Sequence, residues 1–315
     1  MLAVLSITAP IFILIGLGFF SARIGLLNRE QARGMGAFVI HFALPALVFK
    51  ALAERSLGEV LNWPCLGAYA LASLSLFGCG LLLAWRWRGQ SLSQSAILAM
   101  GMSVSNSGFI GYPIAVMVIG PTAGLAMALG MLVENLLMVP LALALAEAGQ
   151  QQGRALTVLR ETARRLLRNP LIIAIVLGLA MSLSGLRLPL VPARVVELLA
   201  AASAPVALFV IGATLYGLKI GGMAADLAQT AIGKLILHPL LMLAALTLVP
   251  GVDPLLVVAG LLFASAPMMS VFPILGQRFG LEQRCAAALV GCTVLAFFSV
   301  SAVLALLRWQ GLLPG

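Results

Sequence analysis

Few side chains in this sequence can hold a charge, and most of those lie between apolar blocks. The exceptions are where chemistry is possible. Glu134 lies near the centre of an apolar stretch and is followed by Asn135. An ionisable group at that depth of a hydrocarbon span is a functional candidate by default. Glu134 could carry a proton, neutralise a buried cation, or belong to a structural pair. Lys234 and His238 are four residues apart, hence on one helical face. Lys234 could compensate charge in the interior or snorkel toward headgroups. His238 precedes Pro239 and could bond a carbonyl freed by that proline, and His41, four residues before Pro45, admits the same reading. Glu134, Asn135, Lys234 and His238 are therefore the candidates for coupling or charge compensation.

Small polar residues and helix breakers form a second set. Ser103-Val104-Ser105-Asn106-Ser107-Gly108-Phe109-Ile110-Gly111-Tyr112-Pro113-Ile114 puts two Gly, one Pro and four small polar side chains inside an apolar span. Unpartnered backbone groups cost several kcal/mol in hydrocarbon, so such a break is expected only inside protein or beside a cavity, where transporters bind substrate. Ser265-Ala266-Pro267-Met268-Met269-Ser270-Val271-Phe272-Pro273-Ile274 has the same character. Asn106 offers one acceptor and two donors; it could bond a carboxylate or cap the helix that follows. Ser105, Ser107, Gly108, Pro113, Ser265, Pro267, Ser270 and Pro273 complete the candidate binding set, though small residues also permit close helix packing.

The elements that would position these residues are membrane helices. Of 315 residues, 62% are hydrophobic and 9% charged, far from the soluble norm. The formal charge of +9 comes from basic residues dispersed between apolar blocks, with no run interleaved with aromatics, so nucleic acid is not expected as a partner. Cys65, Cys79, Cys285 and Cys292 have no metal-ligand spacing and read as small apolar residues, and neither cofactor nor metal is expected. No pair of Asp lies in the spans and Ser107 has no located His partner, which argues against an enzyme. At about 20 residues per crossing, ten spans are expected, at about 2–22, 35–53, 63–85, 92–118, 123–147, 169–185, 195–217, 227–249, 254–277 and 284–307. The first lacks a basic leader region and reads as a helix, not a cleaved signal.

Thirteen Lys and Arg collect on one side, including Arg88, Arg154, Arg160, Arg165, Lys219 and Arg284, against five on the other (Lys50, Arg55, Arg187, Arg194, Arg308). The excess faces the cytoplasm, so both termini are expected outside it and the 148–168 connection inside, its basic residues at the headgroups. A shift of 160 residues pairs Pro10, Pro45 and Pro113 with Pro170, Pro205 and Pro273, and Gly18, Phe49 and Tyr112 with Gly178, Phe209 and Phe272. The expected fold is all-α, an integral membrane protein of two inverted repeats, 1–147 and 169–315, each of five helices. The fourth and ninth are broken, and their half-helix N-termini would welcome an anion near mid-depth.

Asn106-Ser107-Gly108-Phe109-Ile110-Gly111-Tyr112-Pro113, the Phe42-Ala43-Leu44-Pro45 segment, the five-plus-five repeat and the length resemble bacterial members of the auxin efflux carrier family, which also includes plant auxin carriers and permeases for malate and malonate. The resemblance covers the whole chain. It implies an elevator-type carrier: a scaffold of spans one, two, six and seven, commonly a homodimer through two and seven, and a moving domain with an organic anion bound where spans four and nine cross. Asn106 would be the substrate-contacting asparagine, and Pro113 and Pro273 the crossing prolines. Plant carriers have Asn-Pro-Asn-Thr-Tyr where this chain has Ser105-Asn106-Ser107-Gly108-Phe109, and this chain has no long cytoplasmic loop; auxin is not the expected substrate.

The reading is a bacterial inner-membrane secondary transporter of a small carboxylate or dicarboxylate, with H+ as the coupling ion. One alternative is a sodium-coupled symporter of the bile-acid-carrier type, for which Glu134, Asn135 and Ser270 could supply oxygens. The other, of a different class, is a membrane receptor or scaffold that binds a ligand without moving it.

Overall fold

The computed structural model describes residues 2–54, 62–150, 164, 168–217 and 224–313. Arg55, Arg154, Arg160, Arg165, Lys219 and most of the expected 148–168 connection lie outside them. The helices are α1 (Leu2–Arg23), α2 (Arg29–Ala53), α3 (Trp63–Trp87), α4 (Leu92–Ser103), α5 (Ser107–Ile119), α6 (Thr122–Ala148), α7 (Pro170–Ser184), α8 (Leu190–Leu215), α9 (Ala224–Leu248), α10 (Pro254–Ser265), α11 (Phe272–Gln277) and α12 (Glu282–Trp309). α2, α3, α6, α8, α9 and α12 are long and apolar enough to cross a membrane; α5, α7, α10 and the Ala9–Arg23 part of α1 are shorter apolar helices. The chain is a multi-pass membrane protein.

Local chemistry sets the helix starts. Asn28 accepts from the Gln31 N–H while the Gln31 side chain accepts from the Asn28 N–H, a capping box that begins α2 at Arg29, earlier than the expected 35. Asn62, Asn169 and Asp253 cap α3, α7 and α10, each with a proline in the first turn, where its missing N–H has no cost. Gly185, at φ 64°, ends α7 in the left-handed region.

Prolines shape the helix interiors too. Each of Pro45, Pro113, Pro140 and Pro239 comes two residues after a π-helical turn, at Val39–Ala43, Ser107–Gly111, Glu134–Met138 and Gly233–Leu237. A proline ring crowds the carbonyl four residues earlier and removes one backbone donor; widening the preceding turn by one residue relieves both effects. Ser107 and Glu134 open two of these turns, and Lys234 lies in a third.

The helices pack as two groups. In one, α1 runs along α8, α2 along α7, and α8 also touches α2. In the other, α3 packs on α4 and α9, α4 on α6, and α10 and α11 on α12. The groups meet where α2 touches α6, α8 touches α5, and α1 touches α5 and α12. Glycines set the closest approaches: a Cβ on Gly18 would lie 1.9 Å from the Phe209 carbonyl oxygen and one on Gly212 1.8 Å from that of Ile15, so α1 and α8 touch backbone to backbone. Between α7 and α2, a Cβ on Gly178 would lie 2.9 Å from Leu52 Cβ and 3.2 Å from the Phe49 carbonyl. Without a hydrophobic drive between helices in lipid, such approach is a main source of their association. Where the groups meet, a Cβ on Gly124 of α6 would come within 2.8 Å of Ala51 Cβ on α2.

Candidate functional site

Two interruptions lie side by side in the second group. After Ser103, Val104 turns extended (φ −113°, ψ 131°) and the helix resumes at Ser107; after Ser265, Ala266 is extended (φ −71°, ψ 157°) and the helix resumes at Phe272. Ser105 pairs with Met268 in an isolated antiparallel bridge, and the Asn106 N–H donates to the Pro267 carbonyl at 2.8 Å. Glycines make room for aromatic cover: a Cβ on Gly101 would lie 2.6 Å from the Phe272 ring and one on Gly111 2.7 Å from the Phe263 ring.

Several backbone groups released by the breaks find partners, as burial demands. Glu134 reaches the first break from α6, and its Oε1 accepts from the Ser105 N–H at 3.1 Å, the Ser107 hydroxyl at 2.8 Å and the Tyr69 hydroxyl of α3 at 2.8 Å. Lys234 reaches across from α9, and its Nζ donates to the Ser105 hydroxyl at 2.8 Å, the Ala264 carbonyl in the last turn of α10 at 2.7 Å, and His238 Nδ1 at 2.8 Å. His238 then carries its proton on Nε2, 3.3 Å from the Ser73 hydroxyl. Asn106 Oδ1 caps the Phe109 N–H at 3.2 Å while its Nδ2 donates to the Ser270 hydroxyl at 2.7 Å, so capping and cross-break bonding coexist in one side chain.

Burial gives the network its weight. Glu134 is 2% exposed, and Lys234 and His238 are 0% exposed. A lone charge at such a site would cost several kcal/mol; here acid and base are joined through Ser105, whose N–H serves Glu134 and whose hydroxyl serves Lys234. Lys234 therefore does not snorkel, and His238 bonds the lysine and Ser73 instead of a carbonyl freed by Pro239. At the start of α5 the Phe109 N–H is met by Asn106 Oδ1 and the Ile110 N–H by the Asn106 carbonyl, while Glu134 accepts from the Ser107 hydroxyl.

The structure gathers Ser105, Asn106, Ser107, Glu134, Lys234, His238, Ser270 and, through its carbonyl, Pro267. It leaves others out. Asn135 donates to Met131 of its own helix at 2.9 Å, and Ser265 to Leu262 of its own at 2.9 Å. Gly108 is a packing position, its missing Cβ leaving room for Met131 and Leu44. Pro113 and Pro273 lie in the first turns of the helical segments after the breaks. Tyr69, Ser73 and the Ala264 carbonyl belong to the network although nothing in the candidate set pointed to them; the four-residue spacing of Tyr69 and Ser73 on one face of α3 was the available signal. Among the described residues, no three His, Cys, Asp or Glu side chains gather as a metal centre would need. A cleft of about 270 Å³ between α2, α8 and α5–α6, lined by Lys50, Glu54, Tyr112, Gly124 and Glu197, lies along α5 and includes none of the residues of the network.

The sequence profile of the family described as Membrane transport protein matches residues 3–304. The chain belongs to the auxin efflux carrier family of membrane transport proteins. Relatives within that family agree along nearly the whole length. The carrier is 30% identical over 320 residues to a Rhizobium meliloti (strain 1021) protein to which malonate transport has been provisionally ascribed, covering 100% of this chain and 98% of that one. It is 27% identical over 303 residues to the uncharacterized transporter YfdV of Escherichia coli (strain K12), covering 91% and 92%. A 99-residue stretch is also 31% identical to the lysosomal cholesterol signaling protein of Mus musculus, over 31% of this chain and 11% of that protein.

Proposed function

We propose that this carrier is a secondary transporter of a small organic anion, a carboxylate or dicarboxylate, working by alternating access of an elevator type in a bacterial inner membrane. The carrying observation is the junction of two helix breaks through a fully buried acid–base network, Glu134–Ser105–Lys234–His238. Such breaks have their use where a substrate must be gripped and released. Asn106 and Ser270, bonded to each other in this state, carry the amide N–H groups and the hydroxyl that a carboxylate could accept from on parting them. Malonate, to which one homologue is linked by name, is such a carboxylate.

Ten spans, with α4–α5 and α10–α11 each counted as one broken span, go with this reading. The halves support an inverted repeat: Gly18 against Phe209, and Gly178 against Phe49, are the same contact exchanged under the 160-residue shift. An odd number of spans per half would relate them by an axis in the membrane plane; the even total would leave both termini on one side, which the excess of Lys and Arg on the opposite loops makes the outer one. The group holding α1, α2, α7 and α8 would be the scaffold, dimerising through α2 and α7, and the other group would move, with Glu134 passing the coupling proton.

The test is uptake of radiolabelled malonate, malate, succinate and monocarboxylates into proteoliposomes, with and without an imposed proton gradient, in wild type, Asn106→Ala and Glu134→Gln. Saturable uptake that follows the gradient, is lost with Asn106→Ala and loses its gradient dependence in Glu134→Gln is expected. Unchanged binding and uptake in Asn106→Ala would remove the site, and binding of a carboxylate without flux would turn the reading toward a receptor.

A further inference from the structure

The lysine at the junction does more than balance Glu134. An ammonium has three N–H donors, and all three of Lys234's are used, on the Ser105 hydroxyl, the Ala264 carbonyl and His238 Nδ1, at 2.7 to 2.8 Å. None is left over for a substrate carboxylate. The acceptors come from three places: one from the first break, one from the C-terminal turn of α10 at the second, one from α9. A hydroxyl, a freed helix carbonyl and a ring nitrogen converging on one point are the surroundings a monovalent cation would be given. The Ala264 carbonyl is among those left without an intrahelical partner at a helix end, where positive charge is favoured. On the other side of Ser105, Glu134 takes the Ser105 N–H and the Ser107 hydroxyl at the first residue of α5, so a carboxylate sits at the start of α5 as the ammonium sits at the end of α10.

We propose that the Lys234 ammonium is a covalently tethered cation, filling a site built jointly by the two helix breaks, so that the carrier brings its own counter-ion and works without sodium. This rests on the transporter reading only for its second half; the occupancy of the site by a tethered cation can be tested with no substrate at all. Lys234 is then a positioning residue, holding the breaks together through Ser105 and Ala264 without touching the transported anion.

Two measurements test this. The first is the melting temperature of purified Lys234→Ala protein in choline medium, with methylammonium or tetramethylammonium added, beside the wild type. The variant is expected to melt several degrees lower and to recover part of the loss with rising methylammonium, which offers three N–H donors, and none with tetramethylammonium, which offers no donor; the wild type should respond to neither. Equal responses to both amines, or an equal gain in wild type, would overturn the proposal, as would Lys234→Ala melting like wild type. The second uses wild type alone, so it stands even if the variant does not fold. Melting temperature and carboxylate uptake should be the same in sodium, potassium and choline, and stabilisation or stimulation by sodium would overturn the proposal. Absence of carboxylate uptake in every medium would sink the transporter reading alone, leaving the melting comparisons to decide on the tethered cation.

Discussion

Ser105 is the smallest part on which the site depends, because its two polar groups hold opposite charges: the N–H serves Glu134 and the hydroxyl serves Lys234. Removing the acid strands three buried donors and leaves the lysine uncompensated. Glu134→Ala is therefore expected to cost about 3–5 kcal/mol, and Glu134→Gln, which can still accept the same bonds, clearly less. Tyr69→Phe removes one bond to the carboxylate and is expected to cost about 1.5–3 kcal/mol. Melting curves of the detergent-solubilised variants check the order Ala, then Phe, with Gln above Ala. Glu134, Lys234 and His238 were legible in the sequence because ionisable groups are conspicuous among apolar ones. That they meet was not, since Glu134 and Lys234 are a hundred residues apart and Ser105 is one serine among several. Tyr69 and Ser73 escaped notice because single hydroxyls are ordinary in apolar helices.

For the helices, the informative residues are prolines. Each π-helical turn that precedes one inserts a residue and so rotates what lies before it by about 100° relative to a regular helix. Pro140 thus sets the direction of Glu134, which opens the turn ending two residues before it. Pro140→Ala is expected to let α6 become regular; the about 3 kcal/mol by which proline is disfavoured in helix interiors then largely offsets the bonds lost as Glu134 turns away, so the melting temperature stays near that of wild type while uptake falls well below it. Unaltered uptake with a raised melting temperature would show that the turn is not what aims the carboxylate. The prolines and their 160-residue pairing could be read from the sequence. The widened turns could not, because a proline tells where a helix is perturbed and not how the neighbouring helices let it respond. Boundaries shifted for a similar reason: the apolar pattern of α2 starts near 35, but the Asn28 capping box draws the helix out to Arg29.

At the level of the molecule, two groups of helices touch closely where Gly124 of α6 lies against Ala51 of α2. If one group slides past the other, that contact belongs to one stage of the cycle. Gly124→Leu is expected to exclude this stage and cut uptake at least about tenfold, roughly 1.4 kcal/mol or more in relative stability of the two arrangements, and uptake rates in proteoliposomes measure it. Rates like wild type would mean that the groups do not pass each other there. The multi-pass helical character follows from composition alone. Which helix meets which depends on backbone contacts, such as Gly18 with Phe209 and Gly178 with Phe49, between stretches far apart in the chain.

The exchange of Gly18 against Phe209 and Gly178 against Phe49 has a consequence for how the carrier is made. When the ribosome has finished the chain as far as α6, α1 and α2 still lack the helices they are shaped to touch, since α7 and α8 are synthesised later. The early stretch must wait in the bilayer, its glycine faces covered by lipid or by the insertion machinery, until α7 and α8 arrive. Two fragments expressed separately, cut within residues 151–163, should accordingly be degraded when made alone and accumulate when made together, as immunoblots of membrane fractions would record. Quality control would then act on this protein as on an assembly of two subunits that happen to share one chain.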